Sequence, residues 1–256
     1  MALVLLESTA GVVAIAAWTQ SWAVVKRGHF RIVAGTAATL AVLAAAAGSG
    51  ATDGLAAGLP RALALATGAG AFVYLVVQYS RTDLPGVVVG FAAGALGSAA
   101  LLASAGHLSG WPWPLAALEL VAGAALTGSV ANGMLLGHWY LNQPGLRPWA
   151  LARLTNLALF AAAAALLLGA LGAPRLVRAD TEGAVLGLPG FGESFGPVFF
   201  VIWSVLVAFT VIVLWLARRC IGMRSIQSAT GLYYVALLTA AVSEFLVRYL
   251  MVNSGG

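Results

Sequence analysis

The sequence predicts an all-α fold: a polytopic integral membrane bundle of about eight transmembrane helices. Three observations carry that prediction. The chain of 256 residues is 61% hydrophobic and only 8% charged, with a mean hydropathy of +0.97, whereas a soluble domain carries about a quarter charged residues. Its apolar runs are long and are separated by short polar or Gly/Pro junctions. Its basic residues gather at alternate junctions. Each span needs about 20 apolar residues, so the length is used up by the spans. No separate soluble domain remains for a nucleotide, a metal cluster or a peptide substrate.

Taken in order, the spans are expected at residues 3–25, 32–49, 61–79, 86–106, 115–138, 149–171, 197–217 and 225–251. The first segment has no basic residue ahead of its apolar run and carries Glu7, Thr19 and Gln20, so it reads as a retained helix and not a cleaved leader. Lys26-Arg27-Gly28-His29 separates spans one and two, Thr52-Asp53-Gly54 two and three, and Arg81-Thr82-Asp83 three and four. Trp111-Pro112-Trp113-Pro114, Asn142-Gln143-Pro144-Gly145 and Arg218-Arg219 mark the next breaks. The single long junction, 172–196, holds Arg175, Arg178, Asp180, Glu182 and Glu193 and is expected as an extracytoplasmic surface loop. Helix 4 repeats Gly86, Gly90 and Gly94, and helix 5 carries Gly123, Gly128, Gly133 and Gly137. This spacing favours tight packing between helices of one chain.

The net charge of +5 points to lipid headgroups and not to nucleic acid, because the cations are dispersed at helix ends. Nine of them fall in odd-numbered junctions, and only Arg61, Arg175 and Arg178 in even-numbered ones. The positive-inside rule then places both termini and the long loop outside the cytoplasm of a prokaryotic inner membrane. Trp111, Trp113, Phe199 and Trp203 would lie near the outer interface, and Trp139, Tyr140, Trp149 and Trp215 near the inner one. Glu7 opens helix 1 and Glu119 opens helix 5, while Gly-His pairs end or follow both helices. This echo suggests two four-helix bundles in one orientation, with halves 1–110 and 111–256 of a single membrane domain.

Ionisable groups inside hydrocarbon are costly, at least ~2.5 kcal/mol on insertion scales, so each needs a reason. Glu7, Glu119, Glu244 and Arg248 all map to the outer third of the membrane although they are far apart in sequence. Glu244 and Arg248 are spaced to pair along one helix. With Gln227, Thr230, Tyr234 and Ala241 they fall within about a 100° arc of helix 8. Helix 5, with Glu119, Thr127, Ser129, Asn132 and His138 around its circumference, reads as central to the bundle. Asn132 and His138 are secondary candidates for a ligand or proton-relay role. Cys220 is the only cysteine, which excludes an intrachain disulfide and an iron–sulfur site. Haem b needs two histidines facing each other at one depth. His29 and His138 share a level, but His29 reads as part of a charged loop, so neither haem nor a metal ligand set is expected.

The eight spans, the outside termini and the closing Glu244-Phe-Leu-Val-Arg248-Tyr249 resemble the NrfD-type membrane anchors of polysulfide reductase and dimethyl-sulfoxide-reductase-like complexes. The resemblance implies a non-catalytic anchor that binds a quinone near the outer face through polar side chains. It also implies partner subunits carrying iron–sulfur, molybdenum or haem chemistry. On that reading Glu244 or Glu119 takes the quinol proton, Arg248 orients the carboxylates and Tyr234 lines the pocket, with Glu7 completing the group. Two other classes remain open from the residues alone. A small-solute or ion transporter would use the polar stripe of helix 8. A purely structural or assembly subunit would use the same side chains only to hold helices together.

Overall fold

In hydrocarbon every backbone N–H and C=O must be satisfied within the chain, and a sequence this apolar meets that demand with helices. The computed structural model describes residues 1–49, 58–143, 148–178 and 195–254, and among them there is no strand. The helices are α1 (Ala2–Ser21), α2 (Arg27–Ser49), α3 (Gly58–Val77), α4 (Leu84–Ala105), α5 (Trp113–Asn142), α6 (Trp149–Leu176), α7 (Phe195–Gly222) and α8 (Ile226–Asn253). All eight are long and apolar enough to cross a membrane. Proline sits in the first turn of α4 and of α5, where its missing N–H leaves no helical bond unmade.

The helices pack as two rings. Each of α1 to α4 lies against the next and α4 closes on α1; α5 to α8 do the same, with α8 closing on α5. The rings meet mainly where α1 lies along α5, and α5 touches α1, α2, α4, α6 and α8. α5 and α1 are the two most buried spans. Glycine makes that junction: a Cβ on Gly128 would strike the backbone of Gly11, and one on Gly11 would strike the carbonyl of Ala124. The glycines of α4 serve α1 in the same manner, with Gly90 against Ala17, Gly94 against Ala14 and Gly97 against Ala10. Asn132 Nδ2 donates to the carbonyl of Val12 at 3.1 Å, adding a polar bond between the rings.

The two ends of the bundle differ. Arg27 pairs with Asp83 at 2.8 Å, and Arg153 stacks over Trp18, Trp22 and Trp149 at the same end. The start of α1 and the end of α8 lie together at the opposite end, hereafter the terminal end, joined by a bond between Glu7 and Arg248.

Two expectations need correction. α6 runs on through Pro174 to Leu176, so the first residues of the loop expected over 172–196 are helical. Arg175 Nε donates to Gly110 O at 3.0 Å and Leu176 is buried in the core, which holds this last turn in place. Residues 179–194, including Asp180, Glu182 and Glu193, lie outside the described residues. Trp111 and Trp203, expected near the outer interface, do not face lipid. Both rings are buried against glycines of α6, Trp111 on Gly172 and Trp203 on Gly169.

Gly128→Ala should force α1 and α5 apart and lower stability by roughly 1–3 kcal/mol, the usual result of overpacking. Gly231→Ala, where a Cβ meets nothing within 4 Å, is the control, and detergent-solubilised melting of both variants checks the difference.

Candidate functional site

The side chains that share a depth in the sequence share a site in the fold. Glu7 lies about 8 Å along α1 from its start, Glu119 about 9 Å along α5, and Arg248 about 8 Å before the end of α8, at 1.5 Å per residue. Because α1 runs along α5 and α5 along α8, the four groups converge. Burial is nearly complete: Glu7 is 0% exposed, Glu119 and Glu244 1%, and Arg248 2%.

Arg248 is the hub. Its Nε donates to Glu7 Oε2 at 2.7 Å, and its Nη2 donates to Glu7 Oε1 at 3.1 Å, to Glu244 Oε2 at 2.8 Å and to the backbone oxygen of Glu119 at 2.8 Å. Nη1 lies 3.1 Å from Met251 Sδ. Glu244, Arg248 and Met251 follow at four and three residues, so one face of α8 supplies all three. Gly123 provides the room. A Cβ there would collide with Glu7 Oε1, Arg248 Nη2 and Glu244 Oε2 together.

Glu119 stands apart within this group. Its Oε2 is 3.6 Å from Arg248 Nη1, an ion pair too long for a good hydrogen bond. Neither of its carboxyl oxygens has a hydrogen-bond partner, and Glu244 Oε1 has none either. Three carboxylates around one guanidinium would carry a net charge of −2 if all were ionised. At this burial that excess must be balanced by protons shared among the carboxyls or by a bound cation. Among the described residues, no group of three or more His, Cys, Asp or Glu side chains is arranged to hold a metal ion.

Other residues singled out in the sequence lie elsewhere. Tyr234 is 51% exposed on the outside of α8, and Gln227 and Ala241 are exposed with it, so the stripe does not line one cavity. The neighbouring Tyr233 is the buried tyrosine, bonded to Thr155 at 2.8 Å over Gly133. Asn132 is buried at the α1–α5 contact, about 20 Å along α5 from Glu119. His138 is exposed, which leaves the secondary candidates outside the site. His29, read as a loop residue, belongs to the first turn of α2 and is fully buried. It packs beside Phe30 and Trp139, and neither ring nitrogen has a hydrogen-bond partner. Met251 and Gly123 are site residues that charge alone does not reveal. Gly123 follows Glu119 by one turn, and that spacing is the signal that could have found it.

No family model matches the chain, and no curated protein or solved structure matches it.

Arg248→Gln removes the hub and strands three buried carboxyls. It should destabilise the bundle by about 3–5 kcal/mol, as expected for a broken buried ion pair. Glu119→Gln removes a side chain that holds no hydrogen bond and should shift stability by about 1 kcal/mol or less. Thermal or denaturant unfolding in detergent ranks the two.

Proposed function

We propose that this chain is the integral membrane subunit of a multi-subunit redox complex, and that the Arg248 cluster accepts the protons of a quinol at the terminal end of the bilayer. One observation carries the reading. Arg248 is already satisfied by Glu7, Glu244 and the Glu119 carbonyl, so the carboxyl of Glu119 is surplus to holding the helices together. A buried carboxyl whose two oxygens lack hydrogen-bond partners is expensive in hydrocarbon, and such groups commonly mark proton paths. In the proposed step the quinol loses two electrons to a partner subunit, and its two protons leave one at a time by way of Glu119 or Glu244, each released to water at the terminal end before the next is taken. Glu7 and Arg248 hold the pair in place. The resemblance of the sequence to NrfD-type anchors supplies the class of complex, and the cluster supplies the chemistry. Charge asymmetry supports outside termini in a prokaryotic inner membrane.

A structural reading has one observation in its favour: the cluster is sealed from solvent and ties α1, α5 and α8 at a single point. On that reading the same residues pin the bundle and do nothing else.

In the assembled complex, Glu119→Gln and Glu244→Gln should each reduce quinol-dependent turnover at least tenfold while the protein still folds and assembles. Full turnover in both variants would leave the pin as the role of the cluster. Purification of the tagged protein in mild detergent should bring down redox-centre subunits, and a clean homo-oligomer would overturn the complex. Alkaline phosphatase fused to the C-terminus should be active if the termini lie outside.

A further inference from the structure

At the terminal end a pocket of about 760 Å³ opens between α2 and α3, within the range of about 300–1,000 Å³ that ligands occupy. Its α2 wall is a run of alanines, Ala44 to Ala47, and its α3 wall includes Leu65 and Phe72. Leu6 of α1 closes the inner side. The two walls come together where Gly68 meets Ala41: a Cβ on Gly68 would lie 3.6 Å from that of Ala41. Leu65 and Phe72 are exposed to the surroundings of the bundle, so the groove faces lipid. Its lining is mostly apolar, which suits a hydrocarbon chain.

Among the described residues that line this groove, one side chain is cationic. Arg61 is exposed and sits three residues into α3, about 5 Å from the helix start, at headgroup depth. It has no hydrogen-bond, ion-pair or ring partner among the described residues. Most other cations do. Arg27 has Asp83, Arg31 has Tyr79, Arg218 has Asn156 and Arg219 has Trp215. An unspent guanidinium above an apolar groove matches an anionic headgroup above an acyl chain, and basic pockets between membrane helices take such headgroups.

We propose that this groove binds one anionic phospholipid of the terminal-side leaflet, with the phosphate on Arg61 and an acyl chain along Ala44–Ala47. The site is distinct from the Arg248 cluster: none of Glu7, Glu119, Glu244 and Arg248 lines the groove, whose walls are mainly α2 and α3 with Leu6 of α1 and Val252 of α8 beside them.

The full chain, delipidated in mild detergent, is titrated with phosphatidylglycerol or phosphatidylcholine of the same acyl chains and read by native mass spectrometry. The expected result is a single tightly retained phosphatidylglycerol, held at least fivefold better than phosphatidylcholine. Arg61→Gln should abolish that preference with no change in melting temperature, because Arg61 holds no protein partner. Ala45→Phe, which narrows the groove, should weaken both lipids. Equal retention of the two lipids, or an unchanged preference in Arg61→Gln, would overturn the proposal. So would displacement of phosphatidylglycerol by millimolar inorganic phosphate, which would indicate a free-phosphate site, or preferential retention of an added quinone.

Discussion

Surrounded by lipid, apolar side chains gain little by moving from hydrocarbon to protein, so helices hold one another through close packing and buried polar bonds. The crossing of α1 over α5 is where this constraint bears hardest. Gly11 and Gly128 bring the two backbones into contact, and Asn132 adds a hydrogen bond from one helix to the backbone of the other. With the helices at that separation, Glu7 and Glu119 face a common volume. Gly123 keeps the volume open, and α8 delivers Glu244 and Arg248 into it. A wider crossing would leave each carboxyl buried without its partner.

The polar groups elsewhere in the interior are of another kind. Gln20 and Gln78 exchange hydrogen bonds at 3.1 Å and Tyr74 donates to the same Gln20 oxygen. Tyr233 bonds Thr155, and Thr210 bonds Thr239. These networks are neutral, and each one links two helices. The Arg248 cluster is the charged centre set beside them, with more carboxyls than one guanidinium can serve. A fold that needed only adhesion at this point could have used neutral pairs like the others.

Much of this was legible in the sequence, and the part that was not has a common cause. Run length and junctions locate the spans, and counting residues from the junctions places Glu7, Glu119, Glu244 and Arg248 at one depth. Depth follows from rise per residue, which is fixed. Facing is harder. Gln227 and Tyr234 draw the polar arc of α8 to one side, but its buried seam follows the small residues Ala229, Ala236, Ala240 and Ser243, which permit close approach. Tyr234 therefore points outward and Tyr233 inward. Amphipathic side chains tolerate a lipid-facing position at the interface, so polarity is a poor guide to rotation there. His29 was obscured by its basic neighbours, because the sequence does not disclose that Trp139 packs on Gly28 and covers it.

The bond between Arg248 and Glu7 joins residues 241 positions apart, and that span has a consequence for biosynthesis. Glu7 enters the membrane with α1, and its countercharge arrives only with α8. Throughout synthesis of the intervening helices the carboxyl of α1 must stay protonated, remain near the headgroups, or be sheltered by the insertion machinery. A chain that stops before α8 would keep an unpaired acid in hydrocarbon, a flaw that quality-control proteases can sense. α8 thus acts as a check on assembly, and the bundle can lock only after α8 has joined α1 in the bilayer.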